Sequence, residues 1–480
     1  MTLTAVLIFA AFALALALLA PLAFIGKVRT PLLLIVSVLA IYWLQPALPI
    51  RGLDFWLPTA TLLIAVLGWL LTSEREQRSL RFTWPTVVLL AVTVLVLAAS
   101  RFFLKAGILT PSRPPQLQWV ALALIVAAAL FLLIARSQSR KPWVYTLMVV
   151  GLLALFAFLK FPQLTLWISQ GLRSLAGQKP ELATATDLRW LGFSYIAFRL
   201  IHTLRDRQMG RLSGASLQEY LIYMLFFPAF TAGPIDRVER FIKDLRAPYA
   251  PQAVDLGQGG ERLLVGLFKK FVLADALSML ALSTQNAAQI HSTGYLWGMV
   301  YAYAFMIFFD FSGYTDIAIG LAHWLGIRLP ENFNHPYLKP NLTQFWNNWH
   351  MTLTTWFRSY FFNPFTRALR GGKKPLPVPL VIFITQLSTM LLIGLWHGMT
   401  LNFVFWGLWH GLGMFVHNRW AEFMKPRSAA LEAKPALQKT LTVVSTFFTF
   451  NYVALGWVWF ALPSLTLSLH VLGGLFGAAL

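Results

Sequence analysis

The stretch LQWVALALIVAAALFLLIA (residues 117–135) has no charged side chain and is long enough to cross a lipid bilayer as a helix. A spanning helix needs about 20 mostly apolar residues, because the hydrocarbon core offers no partner to exposed backbone groups. Residues 1–160 are therefore predicted to form N-terminal transmembrane helices. The other apolar runs of this part lie near residues 3–25, 31–49, 56–72, 84–100 and 143–160.

The composition of the whole chain also indicates a membrane protein. Of its 480 residues, 58% are hydrophobic and only 12% are charged. Soluble domains carry about 25% charged residues, so a soluble fold is excluded. The chain has no cysteine, which excludes disulfides, thiolate metal sites and a cysteine nucleophile.

The net charge of +21 comes from basic residues in short loops between apolar runs. That distribution favours contact with anionic lipid head groups, and no nucleic acid partner is predicted. The first, third and fifth loops carry eight Lys and Arg residues, against four in the second and fourth. The positive-inside rule then predicts a multi-pass protein of the cell membrane with its N-terminus outside the cytoplasm. The eight are Lys27, Arg29, Arg75, Arg78, Arg81, Arg136, Arg140 and Lys141, and the four are Arg51, Arg101, Lys105 and Arg113.

The character of the sequence changes near residue 185, where the apolar segments begin to contain His, Asp, Arg and Asn. Residues 185–420 are predicted to form a catalytic core, and residues 440–480 two C-terminal transmembrane helices after a polar connector at 425–439. Residues 341–370 are too polar for a simple span, so we expect a re-entrant or interfacial helix there.

A stretch of about one hundred residues within this core holds a concentration of ionisable groups. Such groups are unfavourable inside a bilayer and mark a pathway or a site more often than not. Each one alone has a structural explanation, such as a bond to a neighbouring helix, but the whole set is harder to explain in that way. The set comprises Asp310, Asp316, His323, Glu331, His335, His350, Arg358, His397 and His410.

Known catalytic motifs narrow the chemistry that this set can perform. The sequence has no G-x-S-x-G elbow, no P-loop and no H-E-x-x-H, and His410 with His417 makes only a weak case for a metal. A histidine can accept a proton from an alcohol near neutral pH. His397, between Trp396 and Gly398, is the candidate, with a ring that we expect to be desolvated. From the residues alone, a membrane enzyme with a histidine base and a transporter both remain open.

Five stretches of the core resemble signatures of the membrane-bound O-acyltransferase family, in that family's order. The similarity extends over roughly residues 190–420, within the bacterial branch that acetylates alginate or transfers D-alanine to lipoteichoic acid. The stretches are FFPAFTAGPIDRVERF (226–241), GLFKKFVLAD (266–275), FFDFSGYTDIAIGLAHWLGIRLPENFNHPY (308–337), FWNNWHMTLTTWFRSYFFNPF (345–365) and GLWHGMTLNFVFWGLWHG (394–411).

This resemblance implies an all-α fold, a bundle of about eleven spans plus re-entrant or interfacial helices around a central funnel. It implies an acyltransferase that moves an acetyl or aminoacyl group from a cytoplasmic thioester to a hydroxyl of an extracytoplasmic polysaccharide or polyol polymer. By position in the family's motifs, His397 is the predicted base and His350 orients the acceptor or stabilises developing charge. The predicted substrate-binding residues are Trp346, Asn347, Trp349, Arg358 and Trp396.

No bound cofactor and no metal are predicted. The donor, acetyl-CoA or an acyl carrier protein, is a co-substrate that the basic cytoplasmic loops would attract. The other predicted partners are a glycan or teichoic-acid-like acceptor, an extracytoplasmic accessory acyltransferase and membrane lipids. Two alternatives stay open: a transporter or flippase, and a scaffold subunit of a polysaccharide export complex.

Overall fold

The computed structural model of the chain describes residues 2–22, 24–105, 107–136, 141–372, 374–427 and 434–478. It is 75% helical, and the β pairing within those ranges is one isolated bridge between Phe333 and Trp349. The prediction of an all-α fold is confirmed. Arg140 and residues 428–433 of the predicted connector lie outside the described residues.

The first part of the chain forms a series of mostly apolar helices. They are α1 (Leu3–Leu18), α2 (Ile25–Trp43), α3 (Leu53–Thr72), α4 (Leu80–Ala99), α5 (Leu117–Arg136), α6 (Pro142–Lys160) and α7 (Pro162–Leu175).

The rest of the chain alternates long helices with short ones, and two π-helical turns, Lys269–Ala274 and Arg358–Phe362, interrupt it. The helices are α8 (Phe193–Gln208), α9 (Leu217–Leu225), α10 (Val238–Arg246), α11 (Ala253–Phe268), α12 (Asp275–Ser278), α13 (Thr284–Ala287), α14 (Thr293–Trp324), α15 (Leu342–Asn348), α16 (Met351–Phe357), α17 (Asn363–Arg370), α18 (Val378–His397), α19 (Leu401–Met424), α20 (Pro435–Ala461) and α21 (Leu465–Gly474).

Eight of the described helices are long and apolar enough to cross a membrane, namely α2, α3, α4, α5, α6, α14, α18 and α20. Two further apolar helices, α1 and α21, are shorter. The multi-pass prediction is confirmed, with eight spans of full length where the resemblance implied about eleven. The central funnel stays a prediction.

The boundary between α1 and α2 differs from the predicted one. The first helix ends at Leu18 and the second already begins at Ile25, because Pro21 cannot continue a helix. Lys27 and Arg29 therefore lie in a helix and not in a loop. Arg29 is buried, and its Nη2 and Nε donate to the carbonyl oxygen of Leu325 at 2.7 and 3.1 Å. One of the eight arginines and lysines counted for orientation thus has a structural role.

Packing divides the chain into two units. The first unit comprises Met1–Leu263 with Ile317–Pro330, and the second comprises Leu264–Asp316 with Glu331–Leu480. Every predicted site residue belongs to the second unit. The division into residues 1–160, 185–420 and 440–480 stays a prediction.

Within the second unit, α18 and α19 form a close-packed hairpin. A Cβ atom on Gly407 would lie 2.8 Å from the carbonyl oxygen of Met390, and one on Gly411 would lie 2.9 Å from Leu387 Cδ1. Small residues let two membrane helices approach to backbone contact, which is where much of their packing energy arises. This hairpin holds His397 at the end of α18.

Candidate active site

The backbone at His350 has the left-handed conformation, with φ 44° and ψ 54°, and it separates α15 from α16. Such a conformation is uncommon for a residue other than glycine and is often found at functional sites. The turn is held by pairing with the segment 332–335: Asn334 N–H donates to Asn348 O at 3.1 Å, and Met351 N–H donates to Asn332 O at 3.0 Å.

The side chain of Asn332 fixes the same turn from inside. Its Oδ1 accepts hydrogen bonds from the hydroxyl of Thr352 at 2.7 Å and from the Thr352 backbone N–H at 3.3 Å. Asn332 is fully buried, so losing either partner would leave a polar group without hydration or a hydrogen bond. Asn332 therefore acts as a positioning residue for His350.

The imidazole of His350 is enclosed by aromatic rings. The residue is 3% exposed, and its ring centre lies 4.7 Å from that of Phe311 and 6.2 Å from that of Trp396. His350 lies outside the eight spanning helices, and burial lowers its pKa to about 3, because desolvation disfavours the imidazolium ion. Among the described residues, Nε2 has no hydrogen-bond partner, so the neutral ring keeps this atom available for one.

His397 is the last residue of α18 and is only partly buried. Its ring packs against Trp396 at 4.4 Å, Phe460 at 4.7 Å and Trp406 at 5.7 Å. The ring is therefore less desolvated than we expected from its neighbours in sequence. Gly398 leaves room for the Phe403 ring, because a Cβ atom there would lie 2.5 Å from that ring.

Trp396 connects the two histidines. Its ring lies 6.2 Å from that of His350 and 4.4 Å from that of His397. The predicted catalytic pair, 47 residues apart in sequence, is therefore held in one aromatic cluster. A reacting group that contacts both imidazoles would have to bind next to Trp396.

A cavity of about 190 Å³ lies between α15, α16, the following π turn, α18 and α19. Of the predicted substrate-binding residues, Trp346, Asn347 and Arg358 line it. Arg358 donates to the Asn347 side-chain oxygen. The other lining residues are Thr343, Thr354, Phe357, Phe362, Gln386, Thr389, Met390, Ile393 and Met414.

Two polar atoms of the cavity-lining residues have no hydrogen-bond partner in the described part of the chain: Trp346 Nε1 and Gln386 Oε1. One is a donor and the other an acceptor. Gln386 and Thr389 were not predicted from the sequence. Their signal was the group of four polar residues, Thr385, Gln386, Ser388 and Thr389, in the middle of the mostly apolar α18.

Trp349 lies in a different environment from the other predicted binding residues. Its ring packs against Phe333 and Trp457, each at 5.1 Å, and against Tyr337 at 5.6 Å. It is not one of the cavity-lining residues. A binding role for Trp349 stays a prediction, as do the roles of the other six residues.

Other members of the ionisable set have structural partners. Lys269 pairs with Asp316 at 2.7 Å, and Lys270 pairs with Asp310. His323 Nε2 lies 3.2 Å from Asp255 Oδ1. His410 is fully buried among tryptophans, with ring centres at 5.0 Å from Trp346 and 4.9 Å from Trp406.

Apolar helices of spanning length, together with a buried and a half-buried histidine and a small cavity in the same unit, define a multi-pass membrane protein with a candidate active site. The chain belongs to the membrane-bound O-acyltransferase family, whose sequence profile matches residues 76–430. The predicted family and the predicted enzyme class, acyltransferase, are confirmed.

Three relatives illustrate the range of this similarity. A teichoic acid D-alanyltransferase of Streptococcus thermophilus is 32% identical over 289 residues, which cover 58% of this chain and 69% of that protein. A probable alginate O-acetylase of Pseudomonas syringae is 30% identical over 347 residues, 72% of this chain and 61% of that protein. A peptidoglycan O-acetyltransferase of Helicobacter pylori is 32% identical over 263 residues, 54% of this chain and 46% of that protein. By their names they act on three different polymers.

Proposed function

We propose that this chain moves a small acyl group, acetyl or aminoacyl, from a cytoplasmic thioester to a hydroxyl of an extracytoplasmic polysaccharide or polyol polymer. The donor would be acetyl-CoA or an acyl carrier protein. The observation that carries the proposal is the enclosed His350, whose Nε2 has no partner among the described residues, next to the Trp396–His397 pair. The relatives act on teichoic acid, alginate and peptidoglycan by name, which supports an extracytoplasmic polymer as acceptor.

In this proposal His397 is the general base. It takes the proton of the acceptor hydroxyl while that oxygen attacks the thioester carbonyl carbon. The carbon–sulfur bond breaks, the sulfur leaves with a proton as a free thiol, and the acyl group stays on the acceptor oxygen as an ester. Direct transfer is favoured, because the sequence has no cysteine and no G-x-S-x-G motif that would present an activated serine for an acyl-enzyme.

His350 has a different role, because its ring is buried and neutral. Nε2 can hold the acceptor hydroxyl or stabilise the charge that develops on the carbonyl oxygen, depending on which ring nitrogen carries the proton. The hydrogen bonds between Thr352 and Asn332 hold the backbone that carries the ring. The ring is therefore preorganised for either interaction before the substrate binds.

The cavity supports a short acyl group. Its volume of about 190 Å³ is below the roughly 300–1,000 Å³ of pockets that hold drug-sized ligands. Phe357, Met390 and Ile393 supply apolar wall, while the Trp346 and Gln386 side chains supply one donor and one acceptor. Arg358 would bind an acidic part of the donor or acceptor.

The proposal is tested by the base-labile ester on cell-surface polymers of a deletion strain. The strain is complemented with wild type, His350→Ala, His397→Ala or His291→Ala, at matched levels of membrane protein. His291 is an exposed histidine outside the candidate site and serves as the control. We expect wild type and His291→Ala to restore the ester and both site variants to fail.

Polymer export, measured in the same strains, separates the alternatives. Normal export without ester in His397→Ala supports acyl transfer. Full ester in His397→Ala contradicts the histidine mechanism and favours the transporter and scaffold alternatives. Loss of export with a normal ester density on the remaining polymer indicates a scaffold.

A further inference from the structure

Three side chains with metal-ligating atoms converge in the first unit, outside the candidate active site. His202 and Asp206 are separated by one helical turn of α8, so both point to the same face. Glu239 reaches them from the first turn of α10. His202 Nε2 lies 3.5 Å from Asp206 Oδ2 and 4.0 Å from Glu239 Oε2, and all three ligand atoms lie within 4.8 Å of one another.

The cluster is enclosed and not spread over the surface. His202 and Asp206 are buried, and the side chain of Glu239 is 34% exposed. Glu239 Oε1 is itself buried and has no hydrogen-bond partner in the part of the chain that the structure describes. A buried carboxylate oxygen that accepts no hydrogen bond has lost its hydration without compensation. A bound cation would stabilise the charge on this oxygen.

Two of the nearby arginines have other partners among the described residues. Arg240 pairs with Asp236, at 2.5 and 2.8 Å. Arg199 donates to the backbone carbonyls of Met224 and Ala229, both at 2.8 Å. Arg237 acts electrostatically on His202 and Glu239 and opposes a further cation, but its side chain is exposed and screened by solvent.

We propose that His202, Asp206 and Glu239 bind a divalent transition-metal ion, Zn²⁺ or Mn²⁺, that joins α8 to α10. One imidazole nitrogen and two carboxylates suit these ions. Bonds of about 2.0–2.2 Å in tetrahedral geometry separate ligand atoms by roughly 3.3–3.6 Å, so only Glu239 has to move appreciably. Three protein ligands leave a fourth position for water. Among the described residues, no other group of three His, Asp or Glu side chains converges in this way.

This site was not predicted from the sequence. The signal was the four-residue spacing of His202 and Asp206, which places both on one helix face, but only the tertiary fold brings Glu239 of α10 within 4.0 Å of His202. Acyl transfer by the second unit's histidines does not depend on this metal, so either proposal can fail alone.

The test measures metal on the full-length protein in detergent. The protein is stripped with a chelator, dialysed against Zn²⁺ alone or Mn²⁺ alone, and analysed for metal per chain by plasma mass spectrometry, with thermal unfolding in parallel. We expect about one ion per chain and a higher unfolding midpoint, because a ligand bound only to the folded state stabilises it. Glu239→Gln and His202→Asn should weaken binding by more than the roughly 10–100-fold that loss of an outer partner causes.

The control is His323→Asn, which removes a second histidine–carboxylate pair of the same unit, that with Asp255, and should bind like wild type. Glu239→Gln keeps the size of the side chain, which is 34% exposed. This variant therefore removes a metal ligand without opening a cavity in the core. Wild-type protein that holds no ion at saturation would overturn the proposal. So would Glu239→Gln or His202→Asn protein that binds as wild type does.

Discussion

At the scale of single residues, the backbone of His350 is the feature that most distinguishes the site. A left-handed conformation costs a residue with a Cβ roughly 1–2 kcal/mol, so surrounding contacts must hold it. Asn332 and the paired segment 332–335 supply those contacts. The motifs of the sequence predicted His350 and His397 as a pair, but no glycine or proline indicated a turn at His350. The turn is set by Asn332, which lies 20 residues before its hydrogen-bond partner Thr352.

Replacing His350 separates the strain of the backbone from the chemistry of the ring. We expect His350→Gly to unfold at a higher temperature than His350→Ala, by about 1–2 kcal/mol in the free energy of unfolding, because glycine accepts positive φ without strain. Neither variant should form ester. The measurement is the thermal midpoint in detergent together with the polymer ester in cells.

His335 provides the matched control for that comparison. It has nearly the same left-handed backbone, with φ 45° and ψ 55°, but its side chain is exposed. His335→Gly should therefore be as stable as wild type or more so and should keep the ester. Equal midpoints for His350→Gly and His350→Ala would show that the backbone at residue 350 carries no strain.

At the scale of helices, the stretch 341–370 departs most from its sequence pattern. One re-entrant or interfacial helix was expected, whereas the structure has α15, α16, a π turn and α17. Helices of seven residues do not hold their shape alone, so their packing beside α18 and α19 fixes them. Local patterns predicted that the segment would not span the membrane, and tertiary pairing decided where it breaks.

The α18–α19 hairpin gives a prediction at the same scale. Gly407→Ala should destabilise the protein by about 1–3 kcal/mol, because the new Cβ would lie 2.8 Å from a backbone oxygen of α18. Gly298→Ala in α14 is the matched control, since nothing lies within 4 Å of a Cβ there. It should leave stability unchanged or raise it by up to about 1 kcal/mol.

Thermal unfolding of both alanine variants in detergent checks this expectation. If Gly407→Ala lowers the unfolding midpoint no more than Gly298→Ala does, α18 and α19 are not held at backbone contact. His397 would then need another support at the end of α18.

At the scale of the whole molecule, the sequence predicted the all-α multi-pass fold better than the bounds of its helices. Long apolar runs are sufficient for spanning helices, which explains why the all-α multi-pass fold was predictable. The bounds of α1 and α2 were not, because Arg29 looks like a loop residue until its buried partner Leu325, 296 residues later, is known. With Arg29 set aside, seven of the eight basic residues counted for the odd connections remain, Lys27 among them at the start of α2, against four for the even connections.

The predicted orientation can be tested with single cysteines, because the chain contains none of its own. Arg113→Cys, in the exposed loop after α4, should react with a membrane-impermeant maleimide on intact cells. Glu76→Cys, in the exposed loop between α3 and α4, should react only after the membrane is opened. The reverse pattern would place the N-terminus in the cytoplasm.

The most direct test of the histidine mechanism is the number of base-labile esters per polymer chain in cells that carry His397→Gln. Glutamine keeps a polar side chain of similar reach but cannot accept the hydroxyl proton at neutral pH. With protein levels and polymer export equal to wild type, we expect the ester to fall at least about 100-fold, the lower end of what a general base contributes, while His291→Gln leaves it unchanged. Ester at the wild-type level in His397→Gln would contradict His397 as the base and with it the proposed mechanism.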